Sequence, residues 1–397
     1  MRRPGLVATA LLILAGLVAV PFPASAQTGS CAAPANNVVR ELPWSQKRLG
    51  PQRAWNLSRG GSILVAVVDT GVSATAPTLA GRVQSGADLL GSGPANNDCA
   101  GRGTFIAGLI AAAPTPGVGF AGIAPGSTIL PIRVAQSPSE VDPSKLADGI
   151  RRGVDGGAKV IAVSMGTPSP APALRSAVDY AAARDVLVIA AADLDMDEGQ
   201  TPYPAAFPSV LAVSGIDETG APRHSGSNTA PAMTPGLAAP GNNVVSIGPS
   251  GPGHITGSGG GVGVGFVAGA AALVRSYHPR LTADQVRHRM EATADHPGSA
   301  LPDPALGFGV VDPYAAVARV LPEESGEKPL GEPAPPVRVP PVPIVDHTPE
   351  YIAVALAIVV VTAMVLGAST AAVIRRGRKR GWRSAWAASK PETPATD

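Results

Sequence analysis

Two short segments carry residues whose types and spacing suit acid–base chemistry. The apolar run Ala66-Val67-Val68 ends in Asp69-Thr70-Gly71, which puts a carboxylate at the end of a strand. Further on, Gly101-Arg102-Gly103-Thr104 makes a turn that opens an apolar helix, with a guanidinium at its head. A strand-end carboxylate either orients a neighbouring base or serves only as a structural partner. Arg102 cannot be that base, because guanidinium stays protonated far above physiological pH. The histidines offer no substitute nearby, since His224, His254, His278, His288, His296 and His347 all lie well downstream.

Two other patterns are weaker. Gly263-Val264-Gly265-Phe266-Val267-Ala268 fits a G-x-G-x-x-A fingerprint, but residues 251–261 before it read as a glycine-rich loop and not as a strand. No dinucleotide or other cofactor is expected. Asp193, Asp195 and Asp197 alternate like calcium ligands, yet Glu198 stands where an EF-hand needs glycine and Pro204 where it needs glutamate. A solvated acidic loop is the favoured reading, with no metal.

These residues have to be held by a scaffold, and the apolar pattern describes one. Ile63 to Val68, Thr128 to Val134, Val160 to Ser164 and Val186 to Ala191 read as buried parallel strands. Between them Thr104 to Ala113, Pro143 to Gly156 and Pro172 to Arg184 have helical spacing, and Phe266 to Arg275 reads as a buried helix stopped by Pro279. Strand–helix alternation of this length predicts an α/β domain over 61–320, three layers with a central parallel sheet. With 397 residues, 45% of them hydrophobic, a sizeable core is available. The net charge of +2 argues against a nucleic-acid partner.

The two ends suggest export and anchoring. Arg2-Arg3, the apolar run Leu6 to Val20 and Ala24-Ser25-Ala26 form the pattern of a signal peptide over 1–26, followed by an N-terminal extension over 27–60. Residues 321–350 hold Glu323, Glu324, Glu327 and Glu332 and then a dense proline series, which reads as a stiff stalk. Residues 351–374 are an uncharged apolar run fit for a transmembrane helix, and the basic tail 375–397 is expected on the cytoplasmic side of the cytoplasmic membrane. An oxidising compartment favours a disulfide between the two cysteines, Cys31 and Cys99, with two unrelated buried thiols as the alternative. On the chain-entropy view, closing that loop stabilises the fold by about 4 kcal/mol.

The segments Ala66–Val72 and Gly101–Thr104, with Gly119–Pro125, Ala158–Ser164, Tyr203-Pro204-Ala205 and Ala238–Gly241, resemble the subtilisin-like serine proteases over about the whole of 61–320. The signal peptide, the Cys31 extension, Gln52-Arg53-Ala54-Trp55, the stalk and the anchor look most like the mycosins, membrane-anchored proteases of type VII secretion systems. The resemblance implies that Asp69 matches the orienting aspartate, that Arg102 stands in the place of the catalytic histidine, and that the nucleophile position falls at Gly261. The oxyanion donor falls at Leu194, and a slip of one residue would put the carboxylate of Asp193 there, which repels a developing oxyanion. It implies also that Asp69 and Arg102 are neighbours, able to pair through two parallel bonds. In related proteases an extension such as the one carrying Cys31 braces the domain.

With base, nucleophile and oxyanion donor all lost, the expected protein is a pseudoprotease with a scaffolding or peptide-binding role. Its expected partners are the membrane, secretion-complex membrane proteins or an extended peptide. The alternative is an active serine endopeptidase at the secreted face using an unrecognised nucleophile, for which Ser258 is the serine nearest Gly261.

Overall fold

The computed structural model describes residues 31–139, 141–197, 199–223, 233–298, 300–324 and 348–381. The signal-peptide reading, most of the proline stalk, the tail beyond 381, His224 and His347 lie outside the described residues. The chain falls into two compact units, Met1–Gly326 and Glu327–Asp397.

In chain order the first unit contains α1 (Trp44–Leu49), β1 (Leu64–Asp69), β2 (Ala87–Asp88), α2 (Arg102–Ala111), β3 (Thr128–Arg133), α3 (Pro143–Asp155), β4 (Val160–Val163), α4 (Pro172–Ala182), β5 (Leu187–Ala191), β6 (Leu211–Ile216), β7 (Leu237–Pro240), β8 (Val244–Ile247), β9 (His254–Gly257), α5 (Val262–Tyr277), α6 (Ala283–Ala292) and α7 (Pro313–Ala318). Seven strands form one parallel sheet in the order β2-β3-β1-β4-β5-β6-β7, and β8 and β9 pair antiparallel. The four strands and four helices expected from periodicity are all present, with ends displaced by a few residues. Within 251–261, read as loop, the structure has the short strand β9, which pairs antiparallel with the preceding strand β8 across the turn 248–253.

Side chains alternate across each strand, and that sorts the core into two layers. Val65 and Val67 of β1 pack on one face with α2 and α5, while Ala66 and Val68 pack on the other with α3 and α4. Helix α5 is buried from Val262 through Arg275, as an apolar helix against a sheet must be. The carboxyl ends of the central strands β1 and β4, the start of α2 and the loop before α5 therefore converge at the carboxyl end of the sheet.

The N-terminal extension is tied to this unit. Cys31 and Cys99 form a disulfide, the Ala32 N–H donates to the Cys99 carbonyl at 2.7 Å, and His254 N–H donates to Asn37 O at 2.7 Å. In the second unit, α8 (Thr348–Lys379) is a single helix that contains an 18-residue stretch of mean hydropathy 2.6. At about 1.5 Å per residue it exceeds the ~30 Å of a bilayer core, so it is long and apolar enough to span a membrane.

Candidate active site

Asp69 closes β1 and is fully buried. Its Oδ1 accepts the Thr70 N–H at 2.7 Å, and its Oδ2 accepts from both Arg102 Nη1 and Ser164 Oγ. Ser164 follows β4 directly, and the β1–β4 register pairing Val68 with Val163 puts it beside Asp69. Sequence reasoning took Ser164 only as a strand residue. The sign that it belongs to the site lies in the strand order, which no local pattern displays.

Arg102 is the first residue of α2, and its side chain is 20% exposed. The expected fork of two parallel bonds to Asp69 does not form. Nη1 bonds Asp69 Oδ2 and Ser164 Oγ (2.9 Å), while Nη2 donates to the carbonyls of Ser164 at 2.6 Å and Gly260 at 3.0 Å. Backbone oxygens aimed inward at the end of β4 and at 260 compete with the carboxylate for the second amine, so the guanidinium ties three segments together. All four Nη hydrogens are engaged.

The start of α2 is fixed from outside the pair. Asp98, next to the disulfide, accepts from Thr70 Oγ1 (2.9 Å), Gly101 N (2.9 Å), Thr104 N (2.8 Å) and Thr104 Oγ1 (2.7 Å). Such a carboxylate satisfies the orphan donors of a helix start. Burial nonetheless pushes the Asp98 carboxyl up from its ordinary value, against those hydrogen bonds. Asp98 was not singled out from sequence, although an acid shortly before a helix start is a recognisable signal.

Gly261 precedes α5 with φ +88°, a backbone conformation natural to glycine. A Cβ there would lie well inside van der Waals contact of the Ser164 carbonyl oxygen and 3.0 Å from Arg102 Nη2. The guanidinium thus occupies space that a side chain at 261 would need.

Leu194 lines the cleft and packs against the core, while Asp193 turns the other way, its Oδ1 accepting the Gly261 N–H at 3.3 Å and its Oδ2 the Gly215 N–H at 2.9 Å. A carboxylate, and not the leucine, therefore faces the N–H at 261. The acidic stretch is only partly a solvated loop: Asp193 is 8% exposed and lies 3.9 Å from Arg223, which also binds Asp195 at 2.8 Å. Among the described residues no cluster of three His, Cys, Asp or Glu side chains could hold a metal ion. Ser258 lines the cleft with its Oγ accepting the Asn243 N–H at 2.7 Å.

Burial pushes the Asp193 carboxyl up to about 6, with the Arg223 charge and the Gly261 and Gly215 N–H groups opposing. A carboxyl raised in the folded state favours folding fully below its unfolded value of 3.8, and that contribution is lost as pH rises through about 6. The shift corresponds to about 3 kcal/mol. Unfolding free energies of the wild type minus those of Asp193→Asn should therefore fall by roughly that amount between about pH 4 and pH 7. A difference that stays flat over this range would mean that Asp193 is not held in this environment.

Beside Arg102 the cleft remains open, with a volume of about 570 Å³ between the stretch Met165–Pro168 and the loop 194–197. The protein therefore presents an enclosed carboxylate–guanidinium pair at the end of an accessible groove.

Comparison with known proteins adds relatives to this geometry. The family model for the subtilase family, Peptidase S8, matches residues 60–309. Mycosin-3 of Mycobacterium tuberculosis is 34% identical over an alignment of 397 residues, covering 84% of this chain and 84% of that protein. Subtilisin Savinase of Lederbergia lenta is 34% identical over 279 residues, covering 70% of this chain and 99% of that protein. Among solved structures, the MycP3 protease from the type VII (ESX-3) secretion system superposes with TM-score 0.61 at 30% identity, covering 73% of this chain and 93% of that one. The serine protease MycP1, an essential component of the type VII (ESX-1) secretion system, gives TM-score 0.64 at 29% identity, covering 74% and 93%.

Proposed function

The chain belongs to the subtilase family, and from that premise we propose that it is a mycosin-like member that binds and does not cut: a membrane-anchored pseudoprotease with a scaffolding or peptide-binding role in type VII secretion. The observation that carries this reading is the Arg102 guanidinium. It is held by Asp69, Ser164 and Gly260 and lies beside Gly261, and on the resemblance to subtilases Arg102 stands for the base and Gly261 for the nucleophile. A guanidinium takes no proton from a hydroxyl, and a carboxylate at the Gly261 N–H disfavours an oxyanion there. The cleft beside them is still open, which supports binding without turnover.

The purified protein is expected to hydrolyse no peptide or ester above a control lacking the domain, and to take no label from a serine-directed fluorophosphonate. Labelling that disappears in Ser258→Ala would instead establish an active endopeptidase with a displaced nucleophile.

Helix α8 serves in this reading as the anchor, with Arg375, Arg376, Arg378, Lys379 and Arg380 on the cytoplasmic side. In sealed inverted membrane vesicles, added protease should remove the tail and leave the subtilase domain intact. Digestion of the domain in place of the tail would reverse the orientation.

A further inference from the structure

The reading of the cleft as a peptide-binding site leaves open which peptide it takes, and the side chains around it bear on that. Its walls combine apolar surface from Val141, Met165, Leu194 and Met196 with the carboxylates of Asp195 and Asp197. The cation lining it, Arg102, has both terminal nitrogens engaged and its charge matched by Asp69. Arg223 behind the loop is shared between Asp193 and Asp195. Asp197 is exposed and accepts from Gln200 Nε2 at 3.2 Å, with no cationic partner among the described residues. Around this groove four carboxylates, Asp69, Asp193, Asp195 and Asp197, thus meet two guanidinium groups, Arg102 and Arg223.

An apolar wall ending at two carboxylates, of which Asp195 shares Arg223 with Asp193 and Asp197 has no cationic partner among the described residues, matches one kind of side chain, a long aliphatic stem with a cation at its tip. We propose that the cleft binds an extended peptide segment of a partner protein through a lysine or arginine side chain, its stem along Met165, Leu194 and Met196 and its charge at Asp197 and Asp195. This rests on the peptide-binding reading above and deepens it. The bound segment is selected by charge, and no bond is cut.

The test uses the full-length protein in detergent and fluorescence anisotropy with labelled peptides Ala-Ala-Pro-Xaa-Ala-Ala, where Xaa is Lys, Arg, Met or Glu. The Lys and Arg peptides are expected to bind about five- to tenfold more tightly than the Met peptide, with the Glu peptide weakest. The preference should shrink as salt rises from about 0.05 to 0.5 M. Asp197→Asn should reduce the preference of Lys over Met about threefold. Equal binding of the Met and Lys peptides would overturn the charge selection while leaving the cleft as a peptide site. A lysine preference unaltered by Asp197→Asn would place the cation elsewhere and overturn it too. Absence of binding by all four peptides would instead remove the peptide-binding reading on which it rests.

Discussion

Placing serine at position 261 is expected to weaken the fold and to yield no protease. Two costs add at this residue. A φ of +88° is strained for any residue with a Cβ, which amounts to about 1 to 3 kcal/mol. The new side chain also meets the Ser164 carbonyl oxygen, an atom of a buried strand end that cannot move without displacing β4. Overpacking of this kind adds about 1 to 3 kcal/mol more. Gly261→Ser should therefore lower the unfolding free energy by about 2 to 6 kcal/mol, measurable by denaturant titration.

Adding Arg102→His frees some space but leaves Asp193 on the Gly261 N–H, and a lost oxyanion donor alone lowers rate by about a hundredfold to a thousandfold. Catalytic groups that act as a unit are strongly non-additive, so either single reversion should do nothing and the pair should do little. A Gly261→Ser protein with wild-type stability, or robust hydrolysis by either single reversion, would show that the backbone here is not set against a serine.

The second large effect belongs to the ion pair. Asp69 is fully buried, and removing Arg102 leaves its charge with only the Thr70 N–H and the Ser164 hydroxyl. Arg102→Ala is therefore expected to destabilise by about 3 to 5 kcal/mol, the usual cost of stranding a buried charge. Asp69→Ala should cost less, because Arg102 is 20% exposed and keeps the Ser164 and Gly260 carbonyls. In the double mutant no charge is stranded, and its loss should fall short of the sum of the singles by about 2 kcal/mol or more. Additive losses in thermal or denaturant unfolding would mean that the guanidinium contributes packing alone. Arg102→Lys should recover only part of the loss, since an ammonium cannot reach a carboxylate, a hydroxyl and two carbonyls with a planar fork.

Both predictions depend on neighbours that are remote along the chain, and this marks the limit of what a sequence displays. The residue types proposed for the base and nucleophile positions could be read at once, because they are matters of identity: no geometry turns Arg102 into a proton acceptor or gives Gly261 a hydroxyl. The α/β scaffold was legible for a similar reason. The strands at Leu64–Asp69, Thr128–Arg133, Val160–Val163 and Leu187–Ala191 are short apolar runs buried on both faces, and α3 and α4 repeat with helical period, so their local pattern already states their burial. The contacts that Asp69, Arg102 and Asp193 make were not legible. Ser164 reaches Asp69 only because β4 lies beside β1 in the sheet, a non-consecutive pairing fixed by packing of the whole domain. Whether Asp193 or Leu194 faces the Gly261 N–H depends on the direction in which the chain leaves β5, where a shift of one residue exchanges a carboxylate for an alkyl group. The second amine of Arg102 found carbonyl oxygens, and every residue supplies one, so no sequence pattern marks it. Residue types alone determined which side chains stand at Asp69, Arg102, Leu194 and Gly261; the tertiary structure decided which contacts they make, because those contacts join strand ends and loops that meet only when the sheet is assembled.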